Sequence, residues 1–228
     1  MSDLRLIRGA SPSRFGGIHW YEWKPKAEAL IGPAAGDLLL LHPMTDDGAF
    51  FTTIAPFLAA GRTVIAADYP GYGRSDPYSG TPTIGTYADA MIDMLRARNT
   101  QGRVDLFGFQ AGCLVAAEMS LRYPGEVRRL VQVGVPFFDE VKRRKMLDKD
   151  WDSKGFIAAF SYPCEDRYPL IEHETLVVAT ASDLLEPSRT ASRAIPGCEL
   201  VELPEIEPPA LENGAESISK VTLDFLDR

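Results

Sequence analysis

The chain is short of the residues on which several kinds of function depend. Among 228 residues there are only three cysteines and three histidines. The cysteines, Cys113, Cys164 and Cys198, are an odd set with no C-x-x-C spacing. Neither a disulfide framework nor a zinc site is therefore expected, and reduced thiols point to the cytoplasm. Positive charge is also scarce, with 24 Lys and Arg against 32 Asp and Glu, a net charge of −8. Nucleic-acid and anionic-membrane surfaces need clustered positive charge, so neither partner is expected. The one basic run, Lys142-Arg143-Arg144-Lys145, is diluted by Asp139, Glu140, Asp148 and Asp150 and reads as a solvated helix face. The longest aliphatic stretch, Leu38-Leu39-Leu40-Leu41, is far too short to cross a bilayer. The first thirty residues lack the apolar run of a signal peptide, so a soluble cytoplasmic protein is the expectation.

Apolar residues make up 45% and charged residues 25%, and the length suits one domain spanning 1–228. Leu4 and Leu6 alternate around Arg5, and Gly17-Ile18-His19-Trp20-Tyr21-Glu22-Trp23 is rich in strand formers. These two segments can pair as an antiparallel edge, and the turn-rich stretch 32–36 separates them from the rest of the chain. Short apolar runs come next, at 38–41, 63–67, 104–107, 130–135, 176–179 and 199–203. They alternate with helical patterns near 49–60, 84–98, 112–123, 187–194 and 214–226. Strands this apolar are buried on both faces, and alternation with helices predicts a mostly parallel, doubly wound α/β sheet. The interval 136–174 departs from this rhythm. Its Phe137, Phe138, Trp151, Phe156, Ile157, Phe160 and Tyr162 suggest a short helical lid over the strand ends.

Residues 104–112 read Val-Asp-Leu-Phe-Gly-Phe-Gln-Ala-Gly, a buried strand entering a G-x-Q-x-G turn with Leu114, Ala117 and Leu121 striping the helix beyond. That is the pattern of a nucleophile elbow, whose small flanking residues let strand and helix approach. Three further segments agree in order: Leu-Leu-Leu-Leu-His42-Pro43-Met44; Ala67-Asp68-Tyr69-Pro70-Gly71-Tyr72-Gly73-Arg74-Ser75-Asp76; and 175–187 with Asp183 in it. Together, over roughly 36–226, they resemble the α/β-hydrolase superfamily. The resemblance implies an α/β-hydrolase fold, an oxyanion pair at the N–H groups of Met44 and Ala111, and no cofactor or metal. Gly71-Tyr72-Gly73 lacks a third glycine and opens a loop rather than a helix, so it is no dinucleotide fingerprint.

The chain departs from the family at two positions. Gln110 stands where members carry Ser, Cys or Asp. The loop that would hold the family's histidine reads Leu203-Pro204-Glu205-Ile206-Glu207-Pro208-Pro209-Ala210-Leu211-Glu212, with Glu207 or Pro208 in its place. The three histidines, His19, His42 and His173, all lie upstream. A triad mechanism needs nucleophile, base and orienting acid together. The expected site therefore consists of Gln110, whose amide can orient a water or carbonyl, with His42, or Asp183 and Glu207, as acid/base groups. His42 also has a structural reading, as in the family. Asp139 is an alternative acid. Cys113, Ser182 and Ser75 are conceivable replacement nucleophiles, but packing or turn roles suit them better. Two functions are consistent with such a site: action without a covalent step on a small, partly apolar carbonyl compound, or a binding module that has lost its chemistry.

Overall fold

A computed structural model describes residues 4–25 and 36–228. Apart from Gly36, the turn-rich stretch 32–36 lies outside the described residues. In chain order the elements are β1 (Arg5–Ser13), β2 (Gly16–Lys24), β3 (Leu38–Leu41), α1 (Ala55–Leu58), β4 (Val64–Ala67), α2 (Ile84–Ala97), β5 (Val104–Phe109), α3 (Ala111–Arg122) and β6 (Val127–Val133). After them come α4 (Glu140–Leu147), α5 (Lys154–Phe160), α6 (Cys164–Arg167), β7 (Thr175–Thr180), α7 (Leu185–Ala194), β8 (Glu199–Leu203), α8 (Ala210–Asn213) and α9 (Ala215–Leu226).

The strands form one eight-stranded sheet in the order β1-β2-β4-β3-β5-β6-β7-β8. The β1–β2 hairpin is antiparallel and joins β4 in antiparallel register, with Trp20 opposite Ala67. From β4 onward every pairing is parallel. Leu38 to Leu41 are all buried because helices cover both faces of β3, the pattern expected of an interior parallel strand. One core lies under α2 and α3, where Tyr87, Met91 and Leu114 pack on Leu39 and Leu106. The other lies under α1 and α9, where Leu58, Ile218 and Phe225 pack against Leu40 and Phe107.

Two elements differ from the sequence pattern. The single helix expected at 49–60 is a 3-10 turn, Gly48–Thr52, followed by the one-turn α1. Pro56 sits in the first turn of α1, where its missing N–H costs nothing, but a helix continuing from Phe51 would need that donor. Strand β6 begins at Val127, ahead of the apolar run at 130–135. Its leading Arg128 and Arg129 are strand residues because each has a fixed partner: Arg128 Nε donates to Asp105 at 2.8 Å, and Arg129 Nε donates to Glu174 at 2.6 Å.

The interval 136–174 folds as α4, α5, α6 and a 3-10 turn, Tyr168–Leu170. Trp151, Phe156 and Phe160 pack together, with ring centroids 4.7 to 6.1 Å apart. The segment reaches the strand ends through Ser153, whose Oγ lies 3.1 Å from Tyr72 Oη. Gly155 sits so close to Met44 that a Cβ there would lie 2.9 Å from the Met44 sulfur. None of the described helices is long and apolar enough to cross a membrane.

Candidate active site

The site is built on the turn between β5 and α3. Gln110 takes φ 49° and ψ −119°, a conformation that L-residues rarely adopt. The turn is pinned on both sides, because Gln110 N donates to Val133 O at 2.9 Å and Gln110 O accepts from Cys113 N at 2.9 Å. The flanking glycines are required sterically. A Cβ on Gly112 would lie 1.9 Å from Leu41 O, and one on Gly108 would lie 2.6 Å from the Cys113 Cα. The strand-to-helix turn thus has the geometry of a nucleophile elbow, and its exposed central side chain is a carboxamide.

Gln110 lines a cavity of about 280 Å³ at the carboxyl ends of the strands, where ligands bind in open α/β sheets. Phe50 and Phe109, with centroids 5.3 Å apart, form an aromatic wall. Leu184 and Leu211 add apolar surface, while Thr180 and Ser182 supply hydroxyls from the end of β7. Gly134 lies beside the glutamine at φ 65°, a backbone conformation that favours glycine. Two acidic residues, Asp46 and Glu212, both exposed, also line the cavity. Burial raises the Asp46 carboxyl above its ordinary pKa, and the neighbouring Asp47 adds to the shift. A larger depression of about 660 Å³ lies at the opposite ends of the strands, beside Arg98, Arg103 and Arg128. It contains no part of the elbow.

The residues singled out from sequence do not all meet in the cavity. His42 is fully buried, its Nδ1 donating to Pro43 O at 2.8 Å and its Nε2 accepting from Tyr69 N at 3.2 Å. Burial lowers its pKa to about 4, so it is a neutral ring with both nitrogens engaged. His42 therefore braces the turn before Met44 and does not line the cavity. Asp183 and Glu207 are exposed and do not line it either, although Ser182, Leu184 and Pro208 beside them do. Where the loop after β8 meets the cavity it presents Pro208 and Pro209. The backbone N–H groups of Met44 and Ala111 donate to no backbone carbonyl among the described residues.

The other candidates have structural duties. His19 Nδ1 bonds buried Asp68 at 3.0 Å, and His173 is half-buried, with its Nε2 3.2 Å from Pro124 O. Cys113 is buried with its thiol pushed well up by burial and donating to Gly108 O at 3.2 Å, an unreactive environment. Ser75 Oγ donates to Asp68 O and accepts from His19 N. Ser182 Oγ accepts from Leu184 N, and Asp139 caps α4 by accepting from Lys142 N. Sequence reasoning does not find Asp46, Phe50 or Glu212. The only signal for Asp46 is the Asp46-Asp47 pair, of which Asp47 is used to cap the Gly48–Thr52 turn. Local pattern does not say which of the two is left free.

Residues 38–164 match the alpha/beta hydrolase fold family, and with the elbow and sheet described above the chain belongs to that family. It is similar to a pimeloyl-[acyl-carrier protein] methyl ester esterase of Aromatoleum aromaticum, 30% identical over 186 residues, which covers 80% of this chain and 70% of that protein. An uncharacterised protein of Mycobacterium tuberculosis is 32% identical over 133 residues, 58% of this chain but 38% of that protein. The chain thus spans well under half the length of that relative. In fold it is similar to the enol-lactonase from Burkholderia xenovorans (TM-score 0.78, 16% identity, 96% of this chain and 100% of that one). It is likewise similar to an esterase from Exiguobacterium antarcticum (TM-score 0.79, 16% identity, 97% of this chain and 100% of that one).

Proposed function

We propose that the chain acts through the Gln110 cavity on a small, partly apolar carbonyl compound, without a Ser-His-Asp triad and without a covalent intermediate. The observation that carries this reading is an intact, strained elbow whose centre is an exposed glutamine opening into a cavity. A strained backbone persists only where its surroundings hold it, and such positions cluster at functional sites. The names of similar proteins, a methyl ester esterase and an enol-lactonase, favour an ester or lactone carbonyl. In this reading the Gln110 amide orients water or the substrate carbonyl, and the N–H groups of Met44 and Ala111 stabilise the developing oxyanion. Asp46, whose pKa is raised, takes the proton from attacking water and returns it to the departing oxygen. An enolate-forming lyase or isomerase step would use the same groups.

The test is turnover of a panel of small esters and lactones by the purified protein. Fluorophosphonate is expected to leave the protein unlabelled, and Gln110→Ala to lower kcat/KM by at least about tenfold, the lower range for losing a transition-state donor. Labelling at any serine, or unchanged turnover in the variant, would remove Gln110 from the chemistry. A second reading is favoured by one observation, that none of the three histidines lines the cavity. On that reading the protein is a ligand- or protein-binding module, with saturable binding and no turnover across the panel.

A further inference from the structure

The ionisable residues lining the cavity are of one sign. Asp46 stands on the loop after β3, and Glu212 lies in α8. Among the described residues, no Lys, Arg or His lines the cavity. Neither carboxylate has an ion-pair or side-chain hydrogen-bond partner among the described residues. Elsewhere on the protein, carboxylates are commonly paired by arginine, as Asp93 is by Arg14, Glu126 by Arg96 and Glu202 by Arg189. The charge acting on Asp46 comes from another carboxylate, Asp47, so the ionisable groups on this lining give the cavity a negative field. Phe50 and Phe109 add ring surface, whose negative faces favour a cation over an anion. The volume suits a molecule of about one ring.

We infer, resting on the reading of this cavity as the substrate site, that it selects by charge: it takes a small apolar body bearing a protonated amine in preference to the same body bearing a carboxylate. The positive group sits at Glu212, in a field to which Asp46 adds while its carboxylate stays free as the base; the ring lies on Phe50 and Phe109, and a carbonyl substituent reaches Gln110. An anionic acid would bring a third negative charge into the cavity with no cation on its lining to meet it. The same field would expel a carboxylate product once an ester of this class had been cut.

Three probes of one shape, benzylamine, benzyl alcohol and benzoate, test this by protein-observed NMR titration of the full chain at pH 7. Benzylamine is expected to bind at least about tenfold more tightly than benzyl alcohol, the combined scale of partly exposed ion pairs and a cation–ring contact. Benzoate is expected to bind most weakly, and the shifted amides to include Phe109, Gly134 and Leu211. In Asp46→Asn/Glu212→Gln the ratio of benzylamine to benzyl alcohol affinity should fall to about one. If it does not, attraction to the acidic surface at large explains the preference and the inference fails. Binding of benzoate as tight as that of benzylamine overturns charge selection while leaving the cavity as the site. Absence of binding by all three overturns the cavity reading itself. Folding of the variant is read from the dispersion of the same spectra.

Discussion

At Gln110 the backbone and the side chain make separate demands. The φ of 49° costs a non-glycine residue about 1–3 kcal/mol. A protein selected for stability alone would carry glycine there. Gln110→Gly is therefore expected to raise unfolding free energy by about 1 kcal/mol in urea titration, strain relief exceeding the added freedom of the unfolded chain. The same variant should lose ligand binding. His42 makes the opposite kind of contribution. Its pKa falls from 6.5 to about 4 on folding because burial disfavours the cation. The unfolded chain then binds more protons between these values, so stability is fully present above pH 6.5 and is lost as pH falls towards 4. The loss amounts to about 3 kcal/mol. Comparing urea unfolding at pH 7 and pH 4.5, His42→Gln should show a distinctly smaller drop than the parent, since its amide offers both donor and acceptor but takes no proton.

At the scale of elements, the start of a helix is fixed by side-chain chemistry within one turn. Helix α2 begins at Ile84 because Thr83 Oγ1 accepts from Thr86 N, and Thr86 Oγ1 accepts from Thr83 N, a reciprocal capping box. Thr83→Ala should cost about 1 kcal/mol in urea titration, and Thr83→Ser should restore most of it. Sequence periodicity placed β3, β5, α2, α3 and α9 within a few residues, because apolar spacing is a local property. It ran 49–60 into one helix because apolar spacing carried through the position where Pro56 interrupts the donors. It shortened β6 because Arg128 and Arg129 read as loop charge, and only their partners on β5 and Glu174 make them strand residues.

At the scale of the whole molecule, one buried ion cluster ties distant parts of the chain together. Asp105, fully buried on β5, accepts from Arg62 Nη1 at 2.8 Å and from Arg128 Nε at 2.8 Å, and Arg62 also pairs with Asp227 beyond α9. Removing a buried partner strands the remaining charge, so Arg62→Ala should cost about 3 kcal/mol in chemical denaturation. Arg144→Ala, which breaks the exposed pair with Glu140 on α4, should stay within about 0.5 kcal/mol. The cavity is also a product of the whole chain. Its walls come from the loops after β3, β5, β6, β7 and β8, which the parallel sheet brings to one end.

By itself the sequence determined the alternation of strands and helices, the antiparallel entry, the elbow and the residue at its centre. Each of these depends on neighbours a few positions apart, through side-chain period, turn stereochemistry or the need for glycine at close approach. Tertiary structure alone decided which groups share space with Gln110. It withdrew His42 into the core by occupying both ring nitrogens, left Asp183 and Glu207 off the lining, and brought Asp46 and Glu212 onto it. Asp46 and Glu212 are 166 residues apart in sequence, and only the fold brings both to one cavity. No local pattern encodes that placement.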